Sequence, residues 1–205
     1  KLVEDAIAAL PTELTLEHKS AVQNAADQYA ALTNTQKVLV TNKAILDAAQ
    51  STMAALALKQ AANEAAAKTV ENAIAALPKT ITLEQSATVE AVNKQFTALT
   101  AEQKALVTNQ DVLEKASETI AALQAVQEAN NTAAKAVENI IAALPTNITL
   151  NDATAIQEAA SNYDRLTKEQ QALVTNEAVL EAAQATIAQL QAEKEQADAL
   201  QKENE

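Results

Sequence analysis

Between Asn42 and Leu77 the apolar residues fall at Leu46, Ala49, Met53 and Leu56, then at Ala67, Val70, Ile74 and Leu77, in alternating steps of three and four. That spacing holds one stripe on one face of a helix, the seam of a coiled coil. The stripe returns at Leu113, Ala116, Ile120 and Leu123, then Ala134, Val137, Ile141 and Leu144. With neither glycine nor proline between Asn42 and Leu77, the pattern predicts helices of about 36 residues, about 54 Å long at 1.5 Å per residue. Midway along each stripe the seam turns polar, at Gln60 and Asn63 in one helix and Gln127 and Asn130 in the next. These residues either set the register at a joint or face water because no partner helix lies opposite. The second reading is preferred, since polar seam residues are tolerated wherever packing thins.

The pattern is periodic on a larger scale. The string IAALP occurs at Ile7–Pro11, Ile74–Pro78 and Ile141–Pro145, and LVTN at Leu39–Asn42, Leu106–Asn109 and Leu173–Asn176, each 67 residues from its neighbour. A fixed period without insertions marks a tandem array, here of units 1–67, 68–134 and 135–205. Each long helix therefore crosses a unit boundary, its first half ending one bundle and its second half opening the next.

Proline stops the long helices, because it disfavours α backbone in the residue before it and cannot donate to the preceding turn. A short link follows, in which Thr15, Thr82 and Thr149 precede a new helix. Thr82 and Gln85 form a capping-box pattern, and the other two copies keep only the threonine. The middle helix carries Val22, Ala25, Tyr29 and Leu32 in the first copy. Its counterparts are Val89, Val92, Phe96 and Leu99 in the second, and Ile156, Ala159, Tyr163 and Leu166 in the third. All three aromatic residues of the chain share one repeat position and read as core anchors, the largest single contribution to a small core. The boxes Thr33/Gln36, Thr100/Gln103 and Thr167/Gln170 then open a short helix of about two turns. Thr41-Asn42, Thr108-Asn109 and Thr175-Asn176 read as caps, asparagine and threonine accepting from the first amides of the next long helix. The predicted fold is all-α: tandem three-helix bundles joined by long continuous helices.

Composition strengthens the helical reading. Alanine supplies roughly a quarter of the residues, glycine is absent and the three prolines all sit in IAALP, a bias that intrinsic propensities convert into helix. Units of about 67 residues have small cores and gain stability from neighbours when no disulfide is available; the chain has no cysteine. A net charge of −12 with one arginine, Arg165, opposes a phosphate backbone, so no nucleic-acid partner is expected. No run approaches the roughly 18 apolar residues of a membrane span, so no membrane insertion is expected. Lys1–Glu4 and Lys202–Glu205 both fall at the repeat position of Lys135–Glu138, inside a helix, and read as ends within a longer protein.

Candidate chemistry is sparse. The one histidine, His18, shares its repeat position with Gln85 and Asp152 and reads as an exposed residue at a solvated helix start. No catalytic, cofactor-binding or metal-binding residues are assigned. Without glycine no EF-hand loop can form, which leaves only loose surface calcium. Lys1/Glu4, Lys68/Glu71 and Lys135/Glu138 form i,i+3 pairs that support a helix rather than a reaction. The glycosylation triplets at Asn130 and Asn147 carry little weight, the first because it lies mid-helix.

IAALP, the I-T-L link and ALTAEQKALVTN, followed by an alanine-rich helix, resemble the helical repeats of Gram-positive bacterial cell-surface and S-layer-associated proteins. The shared long helix is similar to spectrin-repeat architecture, in a shorter unit. The resemblance implies a secreted protein at the bacterial cell surface and a stalk, spacer or lattice-forming role without catalysis or cofactor. Its partners would be neighbouring domains of the same chain, further copies in a surface lattice, or another surface protein. An array of three-helix protein-binding modules is the alternative, weakened by the absence of tryptophan and the single arginine. A lipid-surface helix ranks below both, lacking a basic face.

Overall fold

Ten α-helices and three one-turn 3-10 segments succeed one another, with no strand among the described residues. The computed structural model describes residues 1–203; Asn204 and Glu205, and with them the match of Glu205 to Glu138, lie outside the described residues. The chain is all-α. Two units separate by internal contacts, Lys1–Ser117 and the residues from Glu118 onward, and the division falls inside a helix rather than in a linker.

In the first unit α1 (Leu2–Ala8), α2 (Lys19–Ala30) and the first half of α4 (Lys43–Ala75) enclose a core of Val3, Ile7, Val22, Ala25, Leu46, Ala49 and Met53. Between α2 and α4 stands α3 (Asn34–Lys37). The second half of α4 then buries Ala67, Val70 and Ile74, α5 (Ser86–Ala98) buries Val89 and Val92, and α6 (Ala101–Lys104) follows. The helix α7 (Gln110–Ala142) contributes Leu113 and Ala116 to the buried set of the first unit. A hydrogen bond of 2.7 Å from Asn93 Nδ2 to Ser117 Oγ ties α5 to it. In the second unit the later turns of α7 join α8 (Ala153–Asp164), α9 (Lys168–Gln171) and α10 (Glu177–Glu203). That core is built on Ala134, Val137, Ile141, Ile156, Ala159, Leu180, Ala183 and Ile187.

Both α4 and α7 run unbroken for 33 residues, three short of the expected length: one residue is lost at the start, and two before each proline, where the last turn tightens. Leu77 N–H donates to the Ile74 carbonyl at 3.1 Å, an i→i+3 bond in place of the α bond, and Leu10 and Leu144 repeat it. A chain without glycine has no easy left-handed helix cap, and none of the described residues adopts positive φ. The short helices are also briefer than expected. One α turn at Asn34–Lys37 is followed by 3-10 bonds from Leu39 N–H to Gln36 and from Val40 N–H to Lys37, a geometry that does not extend far.

Tyr29 and Tyr163 do pack against their cores, but the aromatic position is not the fully buried anchor expected. Tyr29, Phe96 and Tyr163 are half-buried and lie at the margin of the cores, whereas Ile7, Ile74 and Ile141, the isoleucines of IAALP, are 0% exposed. The rings meet charged neighbours: Lys37 and Lys43 Nζ lie 5.8 and 5.5 Å from the Tyr29 centroid, and Lys104 Nζ 5.7 Å from that of Phe96. The Tyr163 phenol is pushed up to about 12, chiefly by its hydrogen bond to the Glu177 carboxylate and then by burial. Tyr29 and Tyr163 can pack an apolar ring while keeping a polar hydroxyl at the edge; Phe96 at the same position has no such tip.

Candidate functional site

The polar residues that recur in the copies make two kinds of latch, one within each repeat and one between a repeat and the next. The first joins the second half of one long helix to the start of the next. Thr41 N–H and Oγ1 both donate to Glu4 Oε1, at 3.0 and 2.7 Å, and Asn42 Nδ2 donates to the Glu4 carbonyl at 2.9 Å. Glu71 receives the same three bonds from Thr108 and Asn109 at 2.9, 2.5 and 3.0 Å. Glu138 receives them from Thr175 and Asn176 at 2.9, 2.5 and 2.9 Å.

This geometry overturns the capping role expected of the asparagines. Asn42 makes no side-chain bond to the first amides of α4. In all three copies its kind donates across to the glutamate's carbonyl, and the buried Oδ1 atoms of Asn42, Asn109 and Asn176 have no hydrogen-bond partner. The lysine–glutamate pairs are also more than helix support. Lys68 Nζ lies 3.1 Å from Glu71 and Lys135 Nζ 3.0 Å from Glu138, on carboxylates whose side chains are only 14% and 12% exposed.

Several donors aimed at one carboxylate favour its charged form. The Glu71 and Glu138 carboxyls are held down at about 2, by the threonine hydroxyl first, then the threonine amide and the lysine; Glu4 is lowered by the corresponding Thr41 donors. A carboxyl lowered in the folded state contributes stability above its unfolded value, about 4.3, and loses it as pH falls towards the folded value. The clamp's contribution is therefore intact at neutral pH and disappears between about pH 4.5 and 2. The double variant Glu71→Gln/Glu138→Gln, whose amide oxygens still accept but carry no charge, is expected to be less stable than the parent at pH 7. The difference should shrink on acidification through that window. Urea unfolding at a series of pH values measures it; relief of the net negative charge acts on both proteins and drops out of the comparison.

The second latch lies at the polar seam. Asn63, preferred as a solvent-facing residue, is instead 9% exposed, the one buried polar residue among those described. Its Oδ1 accepts from Gln103 Nε2 at 3.1 Å and its Nδ2 donates to Glu102 Oε2 at 3.1 Å. Gln103 Oε1 meanwhile accepts from Thr100 N–H at 3.0 Å, so one amide both closes the capping box of α6 and docks that helix on α4. In the third copy Gln170 repeats this, accepting from Thr167 N–H at 3.0 Å and donating to Asn130 Oδ1 at 3.0 Å. The partner helix missing from the solvent-facing reading is the short helix of the following repeat. Lys59 adds an ion pair to Glu102 at 2.9 Å, but both side chains are well exposed, so screening leaves it little weight. The glutamines behave as expected of surface residues: Gln60 bonds to Glu64 and Gln127 to Asn131 along their own helices.

His18 is half-buried rather than exposed, and its Nδ1 accepts from Thr15 N–H at 3.0 Å. Gln85 Oε1 and Asp152 Oδ2 accept from Thr82 and Thr149 in the same way, at 2.9 and 2.8 Å. The capping box thus exists in every copy and not only the second, since any side-chain acceptor of suitable reach closes it. Asn130 of one glycosylation triplet is occupied by Gln170, while Asn147 is exposed in a link.

Among the described residues no three His, Asp or Glu side chains gather where they could hold a metal ion, and no helix is long and apolar enough to cross a membrane. An open groove of about 560 Å³ on α8 and α10 is lined by Thr154, Gln157, Ser161, Asn162, Arg165 and Gln191 among others. No protein-family model, curated protein or solved structure matches the chain.

Proposed function

We propose that this chain is a structural spacer, a stalk or lattice-forming segment of a secreted bacterial cell-surface protein, and that it catalyses no reaction. One observation carries the reading: polar contacts cross from one repeat to the next, Asn63 with Gln103 and Asn130 with Gln170, made by helices that pass the repeat boundary without interruption, while Glu71, Thr108 and Asn109 close a latch within one repeat. Such residues fix spacing and register. The cell-surface assignment draws on the resemblance of IAALP, the I-T-L link and LVTN to surface-protein repeats. The alternative, an array of binding modules, gains from freely exposed aromatic residues, and Tyr29 and Tyr163 are half-buried.

The spacer reading is tested by small-angle scattering on the full chain. With an advance on the order of 40 Å per repeat, three repeats give a maximum dimension above about 100 Å. A radius of gyration near 17 Å, that of a compact 205-residue globule, would exclude it. Antibody labelling of intact cells carrying the protein tests the location: surface staining is expected, and labelling only after lysis contradicts it.

A further inference from the structure

Met53 is the one methionine of the chain, and with no cysteine present its sulfur is the only one. It belongs to the core of the first repeat, with Val22, Leu46 and Ala49, and is 8% exposed. Ile120 and Ile187 hold the same position in the other repeats, 7% and 8% exposed, so the setting is the same in all three copies and only the chemistry differs. Methionine fills about the volume of isoleucine, but its thioether can be oxidised where a hydrocarbon cannot. Met53 also lines an open groove of about 320 Å³ between α2 and α4, with Val22, Gln23, Gln50, Ala54 and Ala57. Ala57 stands where the other repeats carry Gln124 and Gln191, so no long side chain reaches over the sulfur from that position. A molecule the size of water takes up about 30 Å³, and the groove has room for several.

We propose that Met53 is a site of reversible oxidation by hydrogen peroxide, through which the oxidant loosens the first repeat and leaves the isoleucine-bearing repeats unaffected. The inference stands on the groove and the core and not on the spacer reading. The sulfur lone pair attacks one peroxide oxygen, and the S–O bond forms as the O–O bond breaks. The departing oxygen leaves as water, taking the proton of the oxygen transferred; sulfur is oxidised and the peroxide reduced, so no further reactant is needed. The sulfoxide oxygen is a strong acceptor, and Val22, Leu46 and Ala49 offer it no side-chain donor. It either stays buried without a partner, which costs stability, or turns to the groove and draws the side chain out of the core. Both loosen the packing of α2 on α4. A methionine sulfoxide reductase returns the thioether.

Mass spectrometry of the folded chain in hydrogen peroxide follows the gain of one oxygen at Met53. A reaction that waited for global unfolding would run slower than in urea by about a thousandfold or more; through the groove it is expected within about a hundredfold of the urea rate. In the oxidised chain, native-state hydrogen exchange at the amides of α2 and of residues 43–57 should quicken by at least about tenfold, while the amides around Leu180 keep their rates. Reductase treatment should restore the slow exchange. Met53→Gln, polar and of similar length, should reproduce the faster exchange without peroxide, and Met53→Ile should show no change with it. Oxidation slowed by the full unfolding constant of the chain would overturn the proposal. Unchanged exchange after complete oxidation, or equal acceleration by peroxide in Met53→Ile, would overturn it as well.

Discussion

Gln127→Pro is expected to destabilise the chain by about 3 kcal/mol or more and to divide its unfolding into two transitions. Position 127 lies mid-way along α7, between Leu113 and Ala116 on one side and Ala134, Val137 and Ile141 on the other, all buried. Proline there removes an i→i−4 hydrogen bond and its ring meets the carbonyl four residues back. The side chain itself matters little: Gln127 is exposed and bonds only to Asn131 of the same helix. Gln127→Ala should therefore stay within about 0.5 kcal/mol of the parent. Thermal unfolding followed by calorimetry distinguishes the cases. A single transition for the proline variant would mean that the two ends of α7 are coupled by something other than the helix.

Ile74→Ala is expected to cost about 3 to 4 kcal/mol, within the range for large-to-small changes at fully buried sites. Ile74 is 0% exposed and occupies the position of Ile7 and Ile141, where the last turns of a long helix meet the middle helix of the same repeat. Phe96→Ala, which an aromatic core anchor would have made the costlier change, should cost less, because its ring is half-buried beside Lys104 and part of its truncation merely exchanges one solvent contact for another. Denaturant unfolding of both variants decides the order. A larger loss for Phe96→Ala would place the ring, and not the isoleucine, at the centre of the core.

Much of the architecture could be read from the chain because it rests on local rules. The three-and-four spacing around Leu46 and Ile74, the prolines at 11, 78 and 145, and the Thr100/Gln103 box each act within a few residues. The latches could not be read that way. Glu71 and Thr108 are 37 residues apart and Asn63 and Gln103 are 40 apart, so no helical or turn pattern links them. Their signal was the recurrence of Glu, Thr-Asn and Gln at fixed offsets in all three copies, which local reasoning assigned to caps and surface pairs. The missed boxes at Thr15 and Thr149 have another cause: His18 and Asp152 do chemically what glutamine does at Gln85, and a pattern written for Glu or Gln passes over them. Asn63 was misplaced because its covering helix belongs to the next repeat.

Native-state hydrogen exchange at the repeat boundaries bears most directly on the claim that each boundary is the interior of a latched helix. The amides of Lys59–Ala67 and Val126–Ala134 should exchange as slowly as those around Leu46 and Leu113, opening only when a neighbouring bundle unfolds. Exchange at those amides close to the rate of an unstructured chain, while the bundle cores stay protected, would show that the repeats are joined by frayed linkers and would contradict the account.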